Sequence, residues 1–399
     1  MKQVSAKLMG GFTGLMMLLS LATSPASGHT EPGLEAAKDY SLRDGTLWCG
    51  TRAVLQEVPT GFTIVNDPTG AGVFLKLTVP DSSWRIESLL GSVANLGRFT
   101  STHRDEPWWM VPAAARKERE VPLETQWLLG ETDAGDCVML VPLMDGPFVF
   151  TLSGETNGLK LTGETADPAV TGKGGLALFV SIGTDPYAMA DAGASAVMKH
   201  LRTGKLRKQK PLPDFVNYFG WCTWDSFYKE VSADKVRTGL RSFAAGGVEP
   251  PLLILDDGWQ DYRKMPTGEE RLVSLSPNQE RFGGNLAPTV RLAKEDFKVR
   301  VVLVWHAFMG YWGGVDGSAL PGYGVRNVGR SFSPAILKMN PQLNTNWWGH
   351  MVGVVPGDKI AKFYNDYHSR LKQQGVDGVK VDSQSAIEGV SPAWAGAWH

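Results

Sequence analysis

The hydrophobic pattern changes character near residue 214. Before that point the apolar runs are short and punctuated by turn residues. TGFTIVNDPTGAGVFLKLTV breaks at Asp67-Pro68 and Gly70-Ala71-Gly72, CVMLVPLMDGPFVFTLSG breaks at Asp145-Gly146, and GGLALFVSIG is a further run. Short runs with turn signals at this spacing predict an antiparallel β-sandwich over 29–200. The basic, proline-bounded stretch 201–213 (LRTGKLRKQKPLP) reads as a linker or joining helix with a solvated face. From Asp214 strands and helices alternate. YFGWC is a short apolar run. Ser232 caps a helix with Val236, Leu240, Phe243 and Ala244 on one face, and Gly246-Gly247 ends it. Leu252–Leu255 is a continuous apolar run, the sign of a strand buried on both faces. A helix over 286–297 leads into another such run, 299–304. A longer helix over 358–374 places Ile360, Phe363, Tyr364, Tyr367 and Leu371 on one face and leads into Val379-Lys380-Val381. Repeated βα units predict a parallel sheet, doubly wound or closed as a barrel.

Composition narrows the function classes. Of 399 residues, 43% are hydrophobic and 20% charged, which fits a globular chain with a sizeable core. Forty basic residues balance forty-one acidic ones at a net charge of -1, with no long basic run. Phosphate-tracking contact with nucleic acid therefore has no electrostatic support. The 46 glycines and 14 tryptophans suggest tight loops and flat aromatic surfaces, suited to an uncharged, ring-shaped ligand. Cys49, Cys137 and Cys222 are far apart and form no C-x-x-C pair, which argues against a thiolate zinc site. Their odd number leaves room for one bridge at most. At the N-terminus, Lys2 and Lys7 precede an uncharged apolar stretch, 8–21, and then the small residues of ATSPASG. This predicts an export signal over 1–28 and a secreted or periplasmic protein. The stretch is too short for a membrane span of about 20 residues. No other segment is long and apolar enough to cross, so no membrane partner is expected after signal removal.

Each expected parallel strand ends in polar or aromatic residues. The first ends in GWCTWD around Trp224, the second in Asp256-Asp257-Gly258-Trp259-Gln260, the third in Trp305-His306 and the fourth in Asp382. In a (β/α)8 barrel these carboxyl ends meet at one mouth, where catalysis takes place. Carboxylates accept hydrogen bonds from sugar hydroxyls, and an indole covers the apolar face of a sugar ring. Glycoside cleavage needs two carboxyl groups. Asp382 is the candidate nucleophile, since it ends a buried strand with Lys380 two residues earlier on the same face. A nearby ammonium would keep it ionised. The plainer readings are a capping role for Asp382, turn chemistry or a divalent metal for Asp256-Asp257, and core packing for each tryptophan.

At these residues the chain resembles a known family. The stretch 217–260, NYFGWCTWDSFYKEVSADKVRTGLRSFAAGGVEPPLLILDDGWQ, is similar to the raffinose synthase and seed-imbibition-protein branch of glycoside hydrolase family 36. VVLVWHAFMGYWGGV (301–315), GVDGVKVDSQ (375–384), HRDEPWWMVPA (103–113) and ETQWLL (124–129) extend the resemblance over most of 40–385. It implies an N-terminal β-sandwich followed by a (β/α)8 TIM barrel, and retaining, covalent chemistry on α-galactosides, either hydrolysis or galactosyl transfer, with no metal and no organic cofactor. The implied roles are Asp382 as nucleophile, Lys380 and the Asp256, Asp257 pair as galactose-binding groups, and Trp224, Trp259 and Trp305 as aromatic walls. The expected substrate is an α-galactoside oligosaccharide of the raffinose type. The resemblance also implies an acid/base aspartate well beyond the nucleophile, and no such segment precedes His399. Residues 214–399 are therefore expected to form the N-terminal half of the catalytic barrel, in a fragment without its acid/base. The alternatives are a non-catalytic carbohydrate-binding remnant and a metal-dependent barrel enzyme using Asp256 and Asp257.

Overall fold

The structure is a computed structural model that describes residues 39–202, 204–344 and 351–390. The expected export signal, 1–28, lies outside the described residues, as do 29–38 and 391–399 at the ends of the two expected domains. Among the described residues no helix is long and apolar enough to cross a membrane.

The N-terminal part is antiparallel throughout, as its turn-rich pattern predicts. Its fourteen described strands, however, join in one hydrogen-bonded sheet rather than in the two sheets of a sandwich. The sheet folds around a single core that includes Leu47, Leu75, Leu128, Phe150, Leu161 and Leu178. Five strands matter below: β1 (Arg52–Gln56), β2 (Arg85–Val93), β3 (Leu96–Glu106), β4 (Trp109–Ala115) and β5 (Gly158–Glu164). The continuity comes from strands that change partners. Strand β2 pairs with β5 along most of its length and with β1 at Ser92 and Val93. The change falls at a register shift beside Gly91, which has φ 91° and whose added Cβ would lie 2.0 Å from the Gln56 carbonyl oxygen. Only glycine accepts both the conformation and the approach, and the bulge turns the corner without breaking the ladder.

Helix α1 (Pro186–Leu201) follows. The Asp185 side chain caps it by accepting from the Tyr187 and Ala188 N–H groups. It lays Met189, Ala196 and Val197 on Phe74, Met139 and Phe179, on the sheet face opposite the main core. The joining helix thus lies just before 201–213 and not within it.

The C-terminal part contains four parallel strands, β6 (Gly220–Cys222), β7 (Leu252–Leu255), β8 (Val301–Ala307) and β9 (Gly378–Asp382), side by side in chain order. Helices α2 (Ala233–Ala245), α3 (Ala287–Asp296) and α5 (Gly357–Gln373) occupy the three connections, with α4 (Pro334–Met339) before α5 and α6 (Ala386–Gly389) after β9. Leu253, Leu255, Val302 and Val304 face the helices and share a core with Val236, Leu240, Val290, Phe363 and Leu371. The described residues belong to one unit. A buried polar network joins its two parts. Arg104 of β3 forms ion pairs with Glu124 and with Glu388 of α6, and Ser333 Oγ donates to Glu124 Oε1 at 2.6 Å.

Candidate functional site

Partners in a parallel ladder point to the same side of the sheet. The register pairs Cys222 with Ile254, Ile254 with Leu303, Trp305 with Lys380 and Ala307 with Asp382. Alternation then places Cys222, Asp256, Trp305, Lys380 and Asp382 on one face, at the carboxyl ends of the four strands.

Asp256 is buried and fully engaged. Its Oδ2 accepts from Lys380 Nζ at 2.6 Å and from the Cys222 thiol at 3.1 Å, while Oδ1 accepts the Asp257 N–H at 2.9 Å. Burial pulls the Lys380 pKa down, but the hydrogen bond and charge of Asp256 outweigh it, and the net shift is upward. The ammonium is held firmly in its charged form.

Asp257 points elsewhere. Its carboxylate accepts from Tyr311 Oη at 2.7 Å and from Trp312 Nε1 at 2.8 Å, with Lys229 Nζ 3.9 Å away. Burial raises its pKa, opposed by the hydrogen bonds from Trp312 and Tyr311. Lys229 reaches this point because Gly258, at φ 113°, lets the loop come close: an added Cβ would sit 2.5 Å from the Lys229 carbonyl oxygen. Asp257, Trp224, Lys229, Glu270, Trp312 and Arg330 line a cavity of about 290 Å³, near the lower end of the range for small-molecule sites. Burial lowers the Arg330 pKa to about 10, so the guanidinium remains a cation at neutral pH.

Asp382 ends β9 and is not among the residues that line this cavity. Its Oδ2 accepts from Trp305 Nε1 at 3.0 Å and its Oδ1 accepts the Ser383 N–H at 2.6 Å. Ser383 lies in the left-handed region at φ 59°, which turns its N–H back onto the carboxylate. A non-glycine residue held in this region carries local backbone strain. The Trp305 and Trp312 rings pack with centroids 5.4 Å apart, which joins the Asp382 group to the Asp257 group.

On the opposite face of β8, His306 is buried against α5. Its Nδ1 donates to the Ala307 carbonyl oxygen at 2.9 Å, so its Nε2 accepts from His368 Nε2 at 3.1 Å. Tyr364 and Tyr367 pack around the pair. Burial lowers the His306 pKa to about 4, with the His368 charge adding and the Ala307 bond opposing.

The expected residues thus sit at one end of one sheet, in two adjoining groups and not in a single pocket. Two of the aromatic walls need correction. Trp259 is 0% exposed and donates its indole N–H to the Trp305 carbonyl oxygen at 2.8 Å, and Trp305 is 1% exposed beneath Asp382. Neither offers a face to a ligand. Trp224 does line the cavity, as does Trp312. Lys380 was expected to serve Asp382, but its close partner is Asp256. Asp256 and Asp257 hold different protein groups, and among the described residues no three His, Cys, Asp or Glu side chains are grouped to hold a metal. No cysteine is in a disulfide. Sequence reading missed Lys229, Glu270, Tyr311, Trp312 and Arg330. The available signals were of position alone, Lys229 inside the 217–260 stretch and Tyr311-Trp312 inside the 301–315 stretch, just past a strand end.

Acids, an ammonium and indoles gathered at the carboxyl ends of parallel strands define an enzyme-like α/β site for a polar ligand. The family model described as raffinose synthase or seed imbibition protein Sip1 matches residues 42–286 and 274–398, and the chain belongs to that family. It is similar to a probable galactinol–sucrose galactosyltransferase of Arabidopsis thaliana, 34% identical over 87% of this chain and 51% of the relative. It is also similar to a stachyose synthase of Pisum sativum, 32% identical over 82% of this chain and 50% of the relative. The chain spans about half the length of these curated relatives. Among solved structures, an α-galactosidase from Thermus thermophilus in complex with p-nitrophenyl α-D-galactopyranoside aligns with a TM-score of 0.48 and 17% identity, covering 84% of this chain and 64% of that one.

Proposed function

We propose that this chain carries the galactose-binding and nucleophile half of an enzyme that acts on α-galactosides by a retaining, covalent mechanism. The carrying observation is Asp382, held between the Trp305 indole N–H and the Ser383 N–H, with the Trp305 ring packed on Trp312 of the Asp257 cavity. Two donors on one carboxylate fix its direction, as an attacking oxygen requires. An Asp382 oxygen would attack the anomeric carbon as the bond to the leaving oxygen breaks, with a proton delivered to that oxygen by an acid. Asp256 and Asp257 are committed to protein partners, so neither is assigned the acid role. The in-order parallel strands with a helix in each connection support an arc of a (β/α)8 barrel, since a doubly wound sheet would reverse its strand order. The charge and apolar pattern of 1–28 supports export.

A mechanism-based label tests this reading without needing the acid, because fluoride leaves unprotonated. Incubation with 5-fluoro-α-galactosyl fluoride should release fluoride and add one 5-fluorogalactosyl mass on the peptide carrying Asp382, and Asp382→Asn should remove the label. Labelling elsewhere, or none despite galactose binding, would favour the binding-only reading.

A further inference from the structure

Two loops bring side chains to the cavity. The one after β6 supplies Trp224 and Lys229, and the one after β7 supplies Asp257. The first is held against its own preference. Tyr228 stands at φ 47° and ψ -143°, a strained conformation for a non-glycine residue, which persists only where the surroundings hold it. Directly after it, Lys229 lays its backbone on Gly258. The carbonyl groups of both residues then converge, and two converging carbonyl oxygens need a donor between them.

Arg281 is that donor. Its Nη1 donates to the Lys229 carbonyl oxygen and, at 2.8 Å, to the Gly258 carbonyl oxygen. The residue sits on a single helical turn, Gln279–Phe282. Asn278 caps this turn: its Oδ1 accepts the Arg281 N–H at 3.0 Å, and its own N–H donates to the Trp259 carbonyl oxygen at 2.8 Å. Arg281 is therefore fixed to the loop after β7 and reaches across to the loop after β6. Its guanidinium also lies over the Tyr262 ring, 5.8 Å from the centroid. Tyr262 stacks on Tyr311 at 4.3 Å, and Tyr311 donates to Asp257. At the end of the gripped segment the Lys229 ammonium pairs with Glu270 and lies 5.6 Å from the centroids of both tyrosine rings.

We propose that Arg281 is a positioning residue: by keying the two loops together it holds the Lys229 ammonium at the Asp257 carboxylate and keeps the cavity in shape for its ligand. That the ligand is a galactosyl ring rests on the reading above, so clamp and ligand take separate measurements. Limited acetylation of the full chain with acetic anhydride, mapped by mass spectrometry, reads the clamp without any sugar. Lys294 of α3, similarly exposed and paired with Asp377, is the reference. Arg281→Met should speed acetylation of Lys229 relative to Lys294 by about fivefold, the protection that a partly exposed ion pair gives. Arg281→Lys still carries a charge and several N–H donors and should stay within about twofold of the wild type. Unchanged labelling of Lys229 in Arg281→Met would overturn the clamp. If Arg281→Met loosens both lysines alike, Arg281→Gln decides: its amide stops short of the position of Nη1, so Lys229 alone should gain, and an unchanged Lys229 refutes the proposal. In calorimetric titration with methyl α-D-galactoside, Arg281→Lys should bind as the wild type does and Arg281→Met about tenfold more weakly, the scale of ordering one long side chain on binding. Wild-type affinity in Arg281→Met, with Lys229 loosened, would refute the positioning role. A wild type that binds no galactoside would sink the galactose reading, and the labelling alone then decides the clamp.

Discussion

The buried pair of His306 and His368 should make the fold acid-sensitive in a defined window. With His306 Nδ1 donating to Ala307, its Nε2 must stay a lone pair to accept the His368 N–H. A further proton would set two donors against each other at a site that is only 1% exposed. The folded pKa of about 4 lies below the ordinary 6.5. Between those values the unfolded chain binds the proton and the folded one does not, so stability is fully present above pH 6.5 and is lost as the pH falls towards 4. The full effect is about 3 kcal/mol, of which about 2 kcal/mol has gone by pH 5. Urea unfolding at pH 7.5 and pH 5, read by far-UV circular dichroism, measures the drop. Carboxylates also titrate in this range, so the comparison is with His306→Gln, whose amide oxygen can still accept from His368 but does not protonate. The variant should start less stable and lose about 2 kcal/mol less than the wild type over the same pH step. Equal slopes for the two proteins would refute the argument.

Two further substitutions probe the fold that carries the site. Gly91→Ala meets both the positive φ and the Gln56 carbonyl oxygen, and should cost about 2–4 kcal/mol by urea midpoint; a loss below about 0.5 kcal/mol would show that the bulge relaxes freely. Arg104→Met leaves the Glu124 and Glu388 carboxylates facing each other without a cation, and should destabilise by about 3 kcal/mol at pH 7. Arg104→Met/Glu388→Gln should recover part of that loss, and a double variant no more stable than Arg104→Met would mean that packing and not charge is responsible.

The parallel strands were legible because each is covered on both faces or faces the site, and such strands appear as unbroken apolar runs. Leu252–Leu255 matches its expected bounds, and the helices at Ala287–Asp296 and Gly357–Gln373 fall within a residue or so of their expected spans. The acids at the strand ends were legible for the same reason, since a carboxylate interrupting an apolar run can only lie at its end. What the indoles do was not. Trp259 and Trp305 have strand-end positions, but their burial depends on Tyr367, Tyr311 and Trp312, which come from distant parts of the chain. Trp312 lies in an irregular loop where periodicity says nothing. Lys229 is delivered by a backbone approach that needs Gly258, a contact with no local signature. The single N-terminal sheet was hidden in the same way, because the register shift at Gly91 looks like any other glycine in a turn-rich stretch.

Arg104 and Glu388 stand 284 positions apart in the chain. A contact that closes so long a stretch forms late, after the entropy of closure has been offset by earlier structure. Synthesis runs from the N-terminus, so the antiparallel sheet can be complete before α6 leaves the ribosome. Arg104 is then a preset docking point, and the turn after Asp382 is brought to it. The sheet acts as a jig for assembling the Asp382 segment. A C-terminal piece cut free at 201–213 would keep its four strands and helices and lose the element that tells the Asp382 turn where to stop.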